Sequence, residues 1–324
     1  MMSTQSPEFI LLTGALGSGK TTLLSDYLQS SDVSDTGVII NDAGEINVDG
    51  AVISADSRDL SVATLSNGCI CCSMGNSVQE GIDALLQTRA ERRQGPPRRI
   101  LLETSGLAEP APILRSLRQV RQMEFRLRVV ATYDASTIRQ RDNFPPQYAE
   151  QLAAAQVIVL TKLDTFSREL WVGRKADAHS FNPMASLICT TDRSARALSA
   201  FTEDIPQAPA AASIFQAREV ANPRIRTALA RWSRQATWDE VSEWIENLSA
   251  YLDPRLLRMK GLIRPAGFAD AVLVNGVGGI FSPPRLVKGV SNGDLGLVMI
   301  LRDVDPSEFP DFATQNDHLE VCFK

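Results

Sequence analysis

Short apolar runs alternate with longer amphipathic stretches through the N-terminal part of the chain. The runs lie at residues 9–13, 37–41, 98–104, 126–134, 155–161 and 185–190. Between them, apolar residues recur at helical spacing at residues 20–29, 76–92 and 111–121. Continuous apolar runs separated by helices are typical of a parallel sheet covered by helices on both faces. The pattern therefore predicts an α/β fold for this part.

The alternation ends after about Phe201, where a stretch rich in Pro and Ala begins. We expect one domain at residues 1–205, a linker at 206–222 and a smaller α+β domain at 223–324. The smaller domain should contain an amphipathic helix at 237–252, and its apolar face carries Val241, Trp244, Ile245, Leu248 and Leu252. Apolar pieces at 259–265, 270–277 and 295–302 should form its sheet, and a last helical piece should lie at 306–313.

Composition narrows the choice of partners and of cell compartment. The 324 residues are 44% hydrophobic, which suffices for two packed cores, and the net charge is -5. Lys and Arg form no cationic face or tail, so we expect no nucleic-acid partner. No apolar run approaches the length of a spanning helix, and the N-terminus lacks the pattern of a secretory signal. We expect a cytoplasmic protein without a membrane partner.

A phosphate-binding loop follows the first predicted strand directly. Residues 14–22 read GALGSGKTT and fit the pattern G-x-x-x-x-G-K-[ST] in the strand, turn and helix context that the pattern requires. This motif makes the N-terminal domain a P-loop NTPase domain with a mostly parallel sheet. The residues expected to contact the nucleotide phosphates are Gly14, Gly17, Ser18, Gly19, Lys20, Thr21 and Thr22.

Each residue type in the loop has a physical role. The glycines permit the backbone angles that aim several N–H groups at phosphate oxygens. Lys20 should neutralise the β- and γ-phosphates, and the hydroxyl of Thr21 should bind Mg²⁺. The dipole of the helix that begins here adds to the attraction for anions.

A second apolar strand should deliver a carboxylate to the same site. Glu103 stands at the end of the run RRILLETSG, where an acid could hold a Mg²⁺-bound water. Gly106 follows and could donate its amide to the γ-phosphate. We therefore predict Lys20, Thr21, Glu103 and Gly106 as the catalytic group, with Thr21 and Glu103 serving magnesium.

A third strand ends in residues that indicate the base. Thr161, Lys162 and Asp164 form a T-K-x-D tetrad. A carboxylate at the last position can accept both the ring N–H and the exocyclic amine of guanine, which adenine cannot offer. The tetrad favours GTP over ATP.

Three of the five cysteines lie within one four-residue window, as Cys69, Cys71 and Cys72. Such close spacing is poor geometry for disulfides, whereas thiolates favour Zn²⁺ and similar ions. In an extended segment Cys69 and Cys71 would point to one side and Cys72 to the other. The cluster predicts a site for a thiophilic metal.

The remaining ligand of this site could be a carboxylate, Asp42 or Glu45, or water. A structural zinc site closes all four positions, but a carrier needs an open position through which the ion can leave. With only two histidines in the chain, we do not expect a site dominated by histidine. An incomplete set of thiolates therefore favours metal transfer.

The motifs GALGSGKTT, INDAGE, GCICC, LLETSGLAEP and TKLD occur in this order, and with them the chain resembles the CobW-type metallochaperone GTPases. These are relatives of the hydrogenase and urease nickel-insertion GTPases in the SIMIBI class. The resemblance runs from about Phe9 to Asp164 and continues more weakly through LLRMKGLI. It implies GTP hydrolysis with Mg²⁺, and zinc or cobalt bound at C-x-C-C and handed to a client metalloprotein. A homodimer is left open.

Three features depart from the family pattern. Asp42 replaces the usual Glu and shortens a switch carboxylate by one methylene, and Thr161 replaces the usual Asn of the guanine tetrad, which predicts a weaker contact to the other edge of the base. The His-rich stretch found in many members is absent, which points to the handling of a single ion rather than to metal storage.

We hypothesise that residues 41–50 and 104–110 act as switches that sense the γ-phosphate while the cysteines between them sense the ion. Two alternatives remain open at this stage. One is a P-loop kinase of a small metabolite with structural cysteines. The other is a zinc or redox switch that binds nucleotide without turnover.

Overall fold

The computed structural model describes residues 6–30, 32–41, 61–65, 76–120, 125–136, 145–203, 224–309 and 318–324. The expected thiophilic-metal residues fall outside these ranges. They are Cys69, Cys71, Cys72, Asp42 and Glu45. The predicted linker at 206–222 also lies outside the described residues.

The N-terminal sheet contains parallel strands in the order β3-β2-β4-β1-β5-β6-β7. Their bounds are β1 Glu8–Gly14, β2 Thr36–Asn41, β3 Ser61–Leu65, β4 Arg99–Glu103, β5 Arg126–Asp134, β6 Val157–Thr161 and β7 Ser186–Ile188. The helices of this part of the chain are α1 Lys20–Ser30, α2 Asn76–Glu91, α3 Pro110–Gln119, α4 Pro146–Ala154, α5 Trp171–Phe181 and α6 Arg193–Phe201. The predicted α/β class is confirmed.

The central strands are mostly apolar and almost entirely buried because both faces of the sheet are covered. Every residue of β1 and β6 is buried. On one face, α1 and α6 pack together, and Tyr27 and Phe201 place their ring centroids 5.0 Å apart. Strand β1 lies between β4 and β5. The phosphate loop that follows β1 is thereby held at the middle of the sheet's carboxyl edge.

The C-terminal sheet is antiparallel along the order β11-β10-β9-β13-β8-β14, and β12 pairs with β10. Its strands are β8 Ile225–Trp232, β9 Leu256–Ile263, β10 Ala271–Val277, β11 Ile280–Phe281, β12 Arg285–Val287, β13 Gly296–Arg302 and β14 Leu319–Phe323. The amphipathic helix is α7 Trp238–Leu252, and the five residues predicted for its apolar face are all buried. Thr237 and Glu240 form a capping box that fixes where this helix begins.

Contacts divide the chain into two compact units. The first consists of residues 1–138, 155–175 and 186–205, and the second joins residues 139–154 and 176–185 to the segment 206–324. Helix α4 thus belongs with the C-terminal sheet, where Arg302 donates to Glu150 at 2.5 Å. Of the helix expected at 306–313, the described residues contain one short turn, Pro306–Glu308. Among the described residues, no helix is both long and apolar enough to cross a membrane.

Candidate functional site

The loop after β1 has the backbone geometry that its glycines predict. Gly14, Gly17 and Gly19 have φ angles of +140°, +72° and +92°, which side chains larger than hydrogen rarely adopt. An added Cβ at Gly14 would overlap the hydroxyl and carbonyl oxygens of Thr132 on β5. The loop therefore needs glycine at this position both for its conformation and for close packing.

Lys20 begins α1, and its ammonium lies within the loop. Its Nζ donates to the carbonyl oxygens of Gly14 at 3.0 Å and of Ala15 at 3.1 Å. The side chain is buried, with 7% of its surface exposed. A cation held at the start of a helix beside backbone N–H groups is suited to bind a phosphate.

Thr21 and Glu103 meet at the carboxyl edge of the sheet. The hydroxyl of Thr21 donates to Glu103 Oε1 at 2.6 Å, although the residues are 82 positions apart in sequence. Parallel pairing of β1 with β4 sets Leu12 opposite Glu103, which places the carboxylate beside the loop. A hydroxyl and a buried carboxylate at this distance are oxygen donors of the kind Mg²⁺ prefers.

The segment after β4 lies against the phosphate loop. An added Cβ at Gly106 would overlap the backbone nitrogen of Leu16. The backbone N–H of Thr104 donates to the carbonyl of Leu12 at 3.0 Å. Between them, the buried Ser105 hydroxyl makes no hydrogen bond within the described residues. This segment therefore packs directly against the phosphate loop.

The T-K-x-D tetrad is tied to the phosphate loop through Thr161. Its hydroxyl lies 2.8 Å from the carbonyl oxygen of Ser18 and 3.2 Å from that of Tyr133. Ser18 in turn shares a 2.6 Å hydrogen bond with Thr132, whose role the sequence analysis missed. No local motif marks Thr132, because its partner lies 114 positions away and only the pairing of β1 with β5 brings them together.

Lys162 adopts a left-handed backbone with φ of 56°, and its ammonium binds Asp134 Oδ2 at 2.7 Å. Burial alone would raise the pKa of Asp134, but hydrogen bonds from Lys162 and Ser136 outweigh it and hold the pKa below its ordinary value. The sequence analysis also missed Asp134, which stands at the end of β5. Its position at a strand end was the available signal.

Asp164 lies in a short turn after β6, and its side chain is exposed. Asp26 is the main cause of the raised pKa of the Arg193 guanidinium. The Asp164 carboxylate lies close enough to add a smaller contribution. Arg193 NH2 contacts Asp26 Oδ1 at 2.5 Å. The acid expected to read the base is therefore accessible to a ligand, beside a guanidinium that Asp26 fixes in place.

The structure thus brings Lys20, Thr21, Glu103 and Gly106 together around one loop and joins that loop to Thr161. The described residues contain no group of three or more His, Cys, Asp or Glu side chains that could hold a metal ion. The cysteine motif itself falls outside them. Cys189 and Cys322, which are described, form no disulfide.

A parallel sheet, a glycine loop that leads into Lys20 and Thr21, and a strand-end Glu103 define a P-loop nucleotide-binding protein. The chain belongs to the CobW/HypB/UreG family: the sequence model of the family's nucleotide-binding domain matches residues 8–189. The model of the cobalamin synthesis protein cobW C-terminal domain matches residues 225–311. The resemblance drawn from the motifs is confirmed.

Curated relatives include two proteins of Escherichia coli K12. Zinc chaperone YeiR is 34% identical over 163 residues, which cover 49% of this chain and 47% of YeiR. Zinc chaperone YjiA is 36% identical over 159 residues, covering 48% of each protein. The chain spans about half the length of these relatives.

The solved structures extend the likeness over both domains. The Zn(II)-bound YjiA GTPase from E. coli superposes with a TM-score of 0.61 at 18% identity, covering 96% of this chain and 99% of that chain. At this identity the comparison concerns the fold. It supports the pairing of a P-loop domain with a C-terminal antiparallel sheet.

Proposed function

We propose that this protein is a Mg²⁺-dependent GTPase that carries a thiophilic divalent ion, zinc or cobalt, and delivers it to a client metalloprotein. The observation that carries the proposal is the 2.6 Å contact between Thr21 and Glu103. It joins the phosphate loop to the strand-end acid and so assembles the parts of a nucleotide hydrolase.

The residues present fit magnesium and a nucleoside triphosphate. Thr21 and Glu103 would hold the ion, which would draw charge from the phosphate oxygens when bound. Lys20 would move from the carbonyls of Gly14 and Ala15 to the β- and γ-phosphates. The amide of Gly106 would donate to the γ-phosphate as water attacks phosphorus and the bond to the β-γ bridging oxygen breaks.

Guanine recognition rests on the T-K-x-D tetrad. Asp164 is exposed and can accept the ring N–H and the exocyclic amine of guanine. Lys162 is held by Asp134, and Thr161 ties the tetrad to the phosphate loop. Base and phosphates would therefore be read by one connected set of residues.

The metal part of the proposal rests on the sequence motif and on the relatives. Cys69, Cys71 and Cys72 supply thiolates, and Asp42 or Glu45 could complete an open ligand set. Proteins named zinc chaperone match this chain, and others named zinc-regulated GTPase metalloprotein activator 1, from Dictyostelium discoideum and yeast, match a shorter part. These names support zinc as cargo and a metalloprotein as client.

Coupling between nucleotide and metal follows from the order of the segments. Residues 41–50 and 104–110 flank the cysteine motif in sequence, and Gly106 in the second segment touches the phosphate loop. Loss of the γ-phosphate on hydrolysis would release these contacts and loosen the metal site. By linkage, GTP and metal must change each other's affinity by the same factor. The corresponding coupling free energy is typically about 1–3 kcal/mol.

The proposal is tested by measuring Zn²⁺ affinity with a chelator competition assay. The protein is loaded either with GDP or with a GTP analogue that resists hydrolysis, both in the presence of Mg²⁺. We expect the affinities to differ by about 5- to 150-fold. Equal Zn²⁺ affinity in the two nucleotide states contradicts coupled delivery. In a separate hydrolysis assay, transfer of phosphate to a small metabolite instead of water would favour a P-loop kinase.

A further inference from the structure

A pocket of about 360 Å³ lies at one end of the C-terminal sheet. Its walls are the end of β8 with residues 233–236, the end of β9 with Arg264, and the segment that leads into β13. This volume lies within the usual range for small-molecule sites. The pocket is built by the second unit alone and is separate from the phosphate loop.

The charged side chains that line the pocket are all cationic. Arg231, Arg234 and Arg264 line it, and among the described residues no carboxylate belongs to the lining. Three cations around one concavity repel each other and raise the local concentration of anions. Such an arrangement favours an anionic ligand.

Neutral groups hold two of these arginines in place. Arg264 NH1 donates to Asn292 Oδ1 at 2.5 Å, and its NH2 donates to the carbonyl of Val290. Arg231 Nε donates to the carbonyl of Leu295 at 3.3 Å. Within the described residues no carboxylate forms an ion pair with Arg231, Arg234 or Arg264. The charges of Arg231 and Arg264 are therefore oriented by neutral partners.

Three carboxylates outside the lining accept hydrogen bonds from neutral groups, and one of them, Glu240, also interacts electrostatically with Arg234. Glu240 accepts from the backbone and hydroxyl of Thr237 at the start of α7. Asp294 accepts from Ser291 at 2.7 Å. Glu320 lies across from Arg231 in the pairing of β14 with β8, and it accepts from the thiol of Cys322 at 3.6 Å.

The residues that line the pocket favour a small molecule over a docked protein. Protein interfaces usually centre on large apolar anchors that become buried. The exposed large hydrophobic residues of the described chain are Leu16, Leu107, Leu170, Val172, Tyr251, Phe268 and Leu286, and none of them lines the pocket. A half-buried Trp232 forms part of the wall and offers an apolar surface to a compact ligand.

We propose that this pocket is a second binding site, which takes a small molecule through a phosphate or carboxylate group. Arg264 and Arg231 present prearranged guanidinium groups, and Arg234 adds a third charge from the loop after β8. Planar guanidinium groups suit the two oxygens of either anion. The site is independent of the proposed GTPase activity.

The test titrates inorganic phosphate and, separately, acetate into full-length protein by calorimetry at constant salt. All samples carry Lys20→Ala, which weakens phosphate binding at the loop, so that differences between the pocket variants report on the pocket. Arg264→Gln removes an oriented charge, and Arg234→Gln removes an exposed one whose loss should not disturb folding. Arg285→Gln is the matched control, since this exposed arginine on β12 lies outside the pocket lining.

We expect at least one of the two anions to bind with a dissociation constant of about 1 mM and to bind at least fivefold more weakly in both pocket variants. Arg285→Gln should bind as the parent does. The proposal is overturned if neither anion binds at about 20 mM, or if binding is the same in the parent and in Arg234→Gln. An acidic peptide that binds through these arginines when neither small anion does would also overturn it.

Discussion

The hydroxyl of Thr161 donates to the carbonyl of Ser18 at 2.8 Å and so connects the T-K-x-D tetrad to the phosphate loop. Thr161 stands where the family more often has asparagine, and the sequence predicted a weaker contact to the base. The structure shows a further contact of this side chain, which braces the loop. Both residues are buried, so the bond is protected from water.

Replacing Thr161 with valine should weaken nucleotide binding. Valine keeps the shape but leaves the Ser18 carbonyl without this donor in a buried position, which costs about 1–3 kcal/mol. We expect GDP affinity to fall about 5- to 100-fold, measured by calorimetry or by fluorescent nucleotide displacement. Thr165→Val removes an exposed hydroxyl in the short turn that follows β6, and it should leave affinity unchanged. Equal loss in both variants would show that the turn, not this bond, matters.

Glu103→Gln should slow GTP hydrolysis by about 100-fold and raise the Mg²⁺ concentration needed for half-maximal rate. Glutamine keeps an oxygen for Thr21 but loses the charge that would hold magnesium. The measurement is phosphate release against Mg²⁺ concentration. Glu246→Gln, on the exposed face of α7, is the control for removal of one carboxylate. An unchanged Mg²⁺ dependence would rule out the assigned role of Glu103.

Gly106→Ala should impair hydrolysis more than it impairs GDP binding. The added methyl group would overlap the Leu16 backbone, so the segment after β4 must move away from the loop. Because this segment is proposed to contact only the γ-phosphate, we expect turnover to drop about 100-fold and GDP affinity to change less than threefold. Gly173→Ala, where an added Cβ meets nothing within 4 Å, should behave as the parent. Normal turnover in Gly106→Ala would mean that the segment does not sense the nucleotide.

Lys260 provides a prediction about stability and pH. Its side chain is 4% exposed, and burial, with a further contribution from Arg258, lowers its pKa from 10.5 to about 8. A shift of this size disfavours the folded state by up to about 3 kcal/mol while the lysine is charged. Below pH 8 both states bind the proton and the cost is constant. Between about pH 8 and 10.5 only the unfolded state binds it, so stability rises with pH.

Lys260→Met should therefore increase the free energy of unfolding at pH 7 by about 1–3 kcal/mol. The gain over the parent should shrink as pH rises from 8 and be nearly absent at 10.5. Urea unfolding at several pH values measures both effects. Lys288→Met, at an exposed lysine of the same unit, should show neither. A gain that does not depend on pH would mean that improved packing, not removal of a buried charge, is its cause.

The sequence predicted those elements that are buried on both faces or along one regular face. β1, β4, β5 and β6 are mostly apolar because both faces of their sheet are covered, and α7 shows one clean apolar face. No sequence pattern indicated β3, a five-residue strand with polar residues in it, or β8, in which arginine and threonine interrupt the apolar residues. A strand that polar residues interrupt, or one of minimal length, carries too little local signal.

The residues around the candidate site also differ in how far the sequence could predict them. Lys20, Thr21 and Glu103 were predictable because loop chemistry requires fixed residue types at fixed spacing. Thr132 and Asp134 were not, because their roles depend on which strand ends lie side by side. The buried Arg258 on β9 was also not predictable, since a charged residue inside a sheet contradicts the usual apolar pattern and its acceptors lie on β10.

The most direct measurement of the central claim is the rate of GTP hydrolysis with Mg²⁺, with and without one equivalent of Zn²⁺ or Co²⁺. The parent is compared with Cys71→Ala and with Cys322→Ala, whose exposed thiol lies outside the motif. We predict that the ion changes the rate in the parent and in Cys322→Ala but not in Cys71→Ala. Hydrolysis that ignores both the ion and Cys71 would contradict a coupled metallochaperone and leave the motif cysteines a structural role.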